Sequence, residues 1–298
     1  MSNDTCARLS IILPINDIEN RIKMIEKWIF EVPDYIELVL VHDRPNELKN
    51  AGLFQELVTA HRNTVYTEGS FNSPGISRNA GLRLARAPFV AFWDSDDLPI
   101  LTNVIQMLLA IERSSFDILI GGYKKKDAES NQIKVTLPNQ ANWVTQVATE
   151  PGMWRMIFRS SILTDLKFTN LKLGEDQVFF LSVLDRAPTM GIYSGPVYEY
   201  LCNSNQQLTS KKYFQLSNLE SVLQSYNWLD SVEIRRHVEL VRMMHLRILI
   251  SYISKLDLFR HPKKLYLITS HIKMLVCQEK LRGRELIDLM SALGKSRG

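Results

Sequence analysis

Apolar and polar positions alternate between two periods along the first part of the chain. Leu9–Ile15 (LSIILPI), residues 36–41 (IELVLV) and residues 89–93 (FVAFW) are short apolar runs of the kind that buried β-strands make. Between them, apolar residues recur every three or four positions, as at Ile22, Ile25, Trp28 and Ile29. That spacing predicts helices over residues 18–30, 48–60 and 74–85. Residues 63–66 read as a further strand, 101–111 as helix and 116–120 as extended chain. Strands that alternate with helices predict an α/β fold: a mostly parallel sheet flanked by helices on both faces.

After Gly121-Gly122 the pattern loosens. Residues 123–141 are polar and predict a hairpin or a long loop; residues 154–166 mix short helical pieces. Residues 175–184 predict a helix with Phe179, Phe180 and Val183 on its apolar side, and residues 192–201 an extended segment. From Phe214 onward helix dominates. Ile234, Val238, Val241, Met244, Ile248 and Tyr252 recur at helical spacing, and a further helix starts at Pro262. A boundary near Ser210-Lys211 divides the chain into 1–210 and a C-terminal helical region, 211–298.

Charge sharpens that division. Residues 211–298 hold 16 Lys and Arg against 8 Asp and Glu, a net +8, whereas residues 1–210 hold 20 against 24, a net −4. A basic helical tail on an acidic body has three readings: helices packed on the body, a surface for anionic lipid, or a dimer interface. No nucleic-acid motif accompanies the charge, so nucleic acid is not an expected partner. The opening residues do not resemble a leader peptide, and no apolar stretch is long enough to span a bilayer. The 3 cysteines, Cys6, Cys202 and Cys277, are scattered, as expected of reduced thiols in the cytoplasm. The histidines show no metal-ligand spacing and read as structural.

The chemistry is densest at Asp94-Ser95-Asp96-Asp97, which directly follows the strand at 89–93. Three carboxylates at the end of a buried strand repel one another and lose solvation unless a cation or paired donors offset it. In an open α/β sheet this is also where ligands bind. Hard oxygen ligands there suit Mg²⁺ or Mn²⁺ carrying a diphosphate. Asp43 closes the second strand as a turn residue or as an acceptor for a base or ribose. Ser73-Pro74-Gly75-Ile76-Ser77-Arg78-Asn79-Ala80-Gly81 opens a helix with free N–H groups and a guanidinium, which suit a diphosphate; Arg78 also reads as a plain surface charge. Glu175 and Asp176 open another helix. Acidic residues are favoured in a first turn without doing chemistry; the alternative is a general base aimed into the cleft.

In this order the blocks LSIILPIND, VHD, SRNAGLRLARAPFVAFWDSDD and GEDQVFF resemble glycosyltransferase family 2, over roughly residues 8–210. The resemblance implies a GT-A, Rossmann-like fold and an inverting transfer of one sugar from a nucleotide donor, probable donor class UDP-linked. It implies Pro14 and Asp17 at the nucleoside pocket, Asp43 at the base and Arg78 near the pyrophosphate. Asp94 would face ribose or metal, Asp96 would be the metal ligand for Mn²⁺ or Mg²⁺, and Asp97 would support it. Asp176 would take the acceptor proton. Trp154, in a segment similar to the acceptor side of capsule and O-antigen relatives, would stack on a sugar or fill the core; Glu175 and Lys172 would flank it. The implied acceptor is a growing surface glycan, lipid-linked, which places the enzyme in the cytoplasm or peripherally at the inner membrane face. Two positions depart from the family pattern: Ile15-Asn16-Asp17, and His42-Asp43-Arg44-Pro45 in place of Asp-Asp-Gly-Ser. They bear on the nucleoside more than on the reaction. The Gln-x-x-Arg-Trp motif of processive synthases is absent from the sequence, which implies single-sugar transfer. Two rivals stand beside this: a noncatalytic sugar-nucleotide binder or scaffold, and a metal-dependent nucleotidyltransferase. The latter needs a Gly-rich loop after the first strand, where Asn16-Asp17-Ile18-Glu19 stands.

Overall fold

A computed structural model describes residues 6–16, 18–43, 56, 58–59, 61–127, 130–171, 173–186, 188–202, 216–226, 237–255 and 262–277. Its centre is a nine-stranded sheet. β1 (Leu9–Ile15), β2 (Ile36–Asp43), β3 (Thr64–Gly69) and β4 (Phe89–Phe92) form a parallel half in the order β3-β2-β1-β4. α1 (Ile18–Glu31) links β1 to β2, and α2 (Pro74–Leu82) lies between β3 and β4. The period of two decides the packing. Leu9, Ile11, Leu13 and Ile15 face α1, with its Ile25, Trp28 and Ile29, while Ile12 faces the opposite core. Glu37 is buried at the start of β2 and survives there because Ser10 donates to it at 2.6 Å and Arg86 Nε at 2.9 Å.

The other half of the sheet is mixed, so the parallel pairing expected of most of the sheet is concentrated in the first half. β8 (Met156–Arg159) inserts antiparallel between β4 and β6 (Ile118–Asp127). β9 (Met190–Cys202) runs parallel to β6, and the short β5 (Leu98–Pro99) pairs antiparallel with β9. β7 (Ile133–Thr136) completes a hairpin with β6. β6 thus continues through Gly121-Gly122, where the register to β9 shifts, instead of ending there. β8 replaces the short helical pieces read at 156–159; its four residues are too few to declare a period.

α3 (Leu101–Glu112) packs on the α1 side. On the opposite face lie α4 (Trp143–Thr149), α5 (Glu175–Leu184), α6 (Leu216–Ser225) and α7 (Val238–Lys255). α8 (Leu265–Cys277) packs on α7. The C-terminal helices share one continuous core with the sheet: Val222, Leu223, Met244, Leu249 and Tyr252 cluster with Phe92, Phe179 and Phe180. α7 is buried on most of its sides because α4, α6 and α8 each cover part of it. Leu265, Tyr266 and Ile272 of α8 are exposed beside Lys263 and Lys273. Among the described residues, no helix is long and apolar enough to cross a membrane. The helix read at 48–60 falls mostly outside the described residues, as do Ile234, Arg235 and Arg236 of the tail.

Candidate active site

The carboxyl ends of β1, β2 and β4 meet at one rim. β4 delivers Asp94, whose backbone N–H donates to the Tyr198 hydroxyl of β9 at 2.9 Å. Asp97 Oδ1 accepts the Leu201 N–H at 2.9 Å. The acidic turn is thereby stitched to the far half of the sheet. Asp97 is buried, and its carboxyl is pushed up to about 9 by desolvation and by Asp94 and Asp96. Burial, then Asp94, also raises Asp96.

α2 supplies the cation for this rim, and each residue of its motif has a structural reason. Ser77 donates to the Ser73 carbonyl at 3.1 Å. Asn79 holds both backbone groups of Phe168, donating at 2.9 Å and accepting at 2.8 Å, which fixes the chain leading into α5. Gly81 lies against β1, where a Cβ would come within 2.4 Å of Ile12. Arg78 Nη1 donates to Glu175 Oε1 and Nη2 to Asp94 Oδ1, both at 2.6 Å. Burial works against the Arg78 charge, but Asp94, Glu175 and Asp176 outweigh it and keep the guanidinium protonated. One buried arginine therefore ties the acidic turn after β4 to the first turn of α5.

α5 starts at Gly174, which adopts φ +84, a left-handed value that glycine takes without strain. Asp176 is pushed up to about 7, by burial first and Glu175 second, against the pull of Arg78. Its Oδ1 accepts the Gln177 N–H at 2.8 Å. A carboxylate poised near neutrality beside a polar rim has the character of a general base.

The other sequence candidates are distributed around this centre. Asp43 is buried, and its Oδ1 accepts the N–H groups of Phe71 and Asn72 at 2.7 and 3.0 Å, tethering the loop after β3. That is the turn role, and it engages one oxygen. Pro14 is half-buried near the end of β1, opposite Val41. Trp154 is half-buried and stacks on Tyr198 and Tyr200, with ring centroids 4.7 and 5.7 Å away. Glu175 is turned inward onto Arg78. Arg78 is not a surface charge, since both Nη atoms are committed to carboxylates. Asp17 and Lys172 lie outside the described residues. Tyr198 was not singled out by sequence; its signal is only an aromatic in a strand. His245 and His271, read as structural, meet in the core with Nε2 and Nδ1 2.8 Å apart.

Among the described residues, no group of three or more His, Cys, Asp or Glu is arranged as a metal cage. The donor set still fits a divalent ion. Such an ion, when carried by phosphates, takes only one or two protein carboxylates. Burial first, and the neighbouring carboxylates second, raise Asp96 and Asp97, and a bound cation would favour their ionised forms.

A model of glycosyl transferase family 2 matches residues 18–180. A poly(ribitol-phosphate) beta-glucosyltransferase of Bacillus spizizenii is 22% identical over 245 residues, 77% of this chain and 38% of that protein. The chain thus spans well under half of that relative's length. An uncharacterized glycosyltransferase of Haemophilus influenzae is 25% identical over 210 residues, 69% of this chain and 83% of that protein. Among solved structures, S. aureus TarS 1-349 in complex with UDP-GlcNAc aligns with a TM-score of 0.62 at 18% identity, covering 97% of this chain and 80% of that one. A further structure of S. aureus TarS 1-349 aligns with a TM-score of 0.62 at 19% identity over 96% of this chain and 79% of that one. At such identity the structural likeness bears on the fold alone.

Proposed function

The chain belongs to glycosyl transferase family 2, with the α/β, GT-A-type fold expected of it, and from that premise we propose that it moves a single sugar from a UDP-linked donor to a polymeric glycan acceptor with inversion. One observation carries the reading. The Arg78 bridge brings the acidic rim and the Glu175-Asp176 turn to either side of one buried cation; in this reading it sets the leaving-group site beside the base. In this reading Asp96, with Asp94, holds Mn²⁺ or Mg²⁺, whose charge would offset that of the departing nucleoside diphosphate. Pro14 and Asp43 border the nucleoside. Asp176 accepts the proton of the acceptor hydroxyl as its oxygen attacks the anomeric carbon, a single displacement that inverts configuration. Trp154 and Glu175 form the acceptor side; Glu175 acts there by keeping Arg78 oriented. The relative named as a poly(ribitol-phosphate) beta-glucosyltransferase supports a polymeric acceptor; our reading extends this to a surface glycan displayed on a lipid carrier.

The test is release of UDP from a panel of UDP-sugars with Mn²⁺. Wild type is expected to turn over one donor, with activity lost on chelation and in Asp96→Ala. Asp176→Asn is expected to keep donor binding and lose turnover. Full activity in metal-free buffer would refute the metal role, and near-normal turnover by Asp176→Asn would place the base elsewhere.

A further inference from the structure

Both flanks of the α5 first turn rest on the C-terminal helices. On one side Gly174 abuts α6: a Cβ there would lie 2.5 Å from Val222 Cγ2. On the other, Arg247 of α7 donates through Nη2 to Gln177 Oε1 at 2.8 Å. Gln177 in turn gives its backbone N–H to Asp176 Oδ1 at 2.8 Å. Arg247 is thus two hydrogen bonds from the Asp176 carboxylate.

The surroundings make this an expensive place for a guanidinium. Arg247 projects from a helix whose neighbours Leu246, Ile248 and Leu249 are buried, and its Nε is buried without a hydrogen-bond partner. Behind it stands Tyr226, whose phenol burial raises and Arg247 lowers. Tyr226 stacks on His245, with ring centroids 4.4 Å apart. Burial, and then His271, push His245 down to about 3, so it adds no charge near neutral pH. The bonded partner of Arg247 is a neutral amide. A partly buried cation with no bonded carboxylate among the described residues costs stability that an apolar residue would not, and such a departure points to function.

We propose that Arg247 is a positioning residue for Asp176, reaching from the C-terminal helices to fix Gln177 and to favour the ionised base. The inference rests on the reading of Asp176 as the base. Around that carboxylate Glu175 and Asp94 oppose ionisation, while Arg78 and the Gln177 N–H favour it. Arg247 adds a second cation from the α7 side. Removing a nearby cation raises a carboxyl group's proton affinity. The catalytic body and the basic tail therefore share the active site, and this tail arginine serves the base rather than an outer surface.

The test follows the Asp176 carboxyl carbon by ¹³C NMR titration in wild type and Arg247→Met, with Asp176→Asn used to assign the signal. The expected result is an upward shift of roughly half a pH unit or more. Turnover should fall with the donor KM little changed, the acid limb of kcat should move with the titration, and Arg247→Lys should recover part of both. An unmoved titration overturns the proposal, even if turnover falls, because a purely structural role predicts that pattern. Should Arg247→Met fail to fold, Arg247→Gln removes the same charge with a polar side chain and is judged by the same two outcomes. If wild type turns over no sugar nucleotide, the functional reading fails, yet the titration still decides the role of Arg247.

Discussion

Replacing Arg78 with Met tests whether the bridge between the two acidic elements is what holds the site together. Methionine keeps much of the aliphatic stem and removes the guanidinium, whose Cζ lies over the Phe168 ring at 5.6 Å from its centroid. The side chains of Arg78 and Glu175 are each 9% exposed, so solvent screens their pairing little; Asp94 is 31% exposed and contributes less. Removing one partner of a buried ion pair costs about 3–5 kcal/mol, because the carboxylates are left desolvated without a cation. For a chain of this size that corresponds to a melting temperature lower by roughly 6–20 °C. The sign with pH follows from linkage. Carboxyl groups left without their cation hold protons more tightly in the folded variant than in its unfolded chain, so its deficit shrinks as pH falls. The assay is thermal unfolding by circular dichroism at pH 8 and pH 5 in metal-free buffer. Arg83→Met, an exposed change just past the same helix, serves as the control. A melting temperature for Arg78→Met equal to wild type at pH 8, or a deficit that does not narrow at pH 5, would refute the reasoning.

The acidic rim makes a further prediction. Asp97 is pushed up to about 9, above its value in the unfolded chain. The folded state therefore retains a proton that the unfolded state loses, and stability falls as pH rises from about 4 toward that value. Asp97→Asn keeps an acceptor for the Leu201 N–H and removes the titration. Without metal, it should melt higher than wild type at pH 8 and vary less between pH 5 and pH 8; parallel melting curves for the two proteins would contradict this. Gly174→Ala should lose about 1–3 kcal/mol from its left-handed backbone and its collision with Val222. Adding Val222→Ala should restore the steric part only, and a single variant as stable as wild type would show that α6 does not brace α5.

The elements legible in the sequence were those whose signal is local. Leu9–Ile15 and Glu175–Leu184 lie where their apolar periods place them, since one strand buried on both faces and one helix wedged in the core each carry a complete pattern. β8 was not legible, because four residues between two short helical turns carry no period of their own; its strand character comes from β4 and β6 on either side. β6 was cut short at Gly121-Gly122 because paired glycines usually punctuate a strand, whereas here they allow a register shift within one.

The site divides along the same line. Asp94, Asp96, Asp97 and Asp176 could be found because acidic residues at element ends are conspicuous in one dimension. Their partners could not. Arg78 resembled any helical arginine until the fold set it 2.6 Å from carboxylates 16 and 97 residues away. The tail shows the same limit. Its surplus charge suggested an outward-facing surface, yet Arg247 is directed at Gln177, and Lys264 pairs with Glu220 at 2.6 Å. Net charge records how many cations a segment carries and not which way they point. The direction is set by packing: once α6 and α7 are needed to cover Phe179 and Phe180, some of their polar residues must face the first turn of α5. A helical region that closes the core behind the first turn of α5 is then placed to tune that turn.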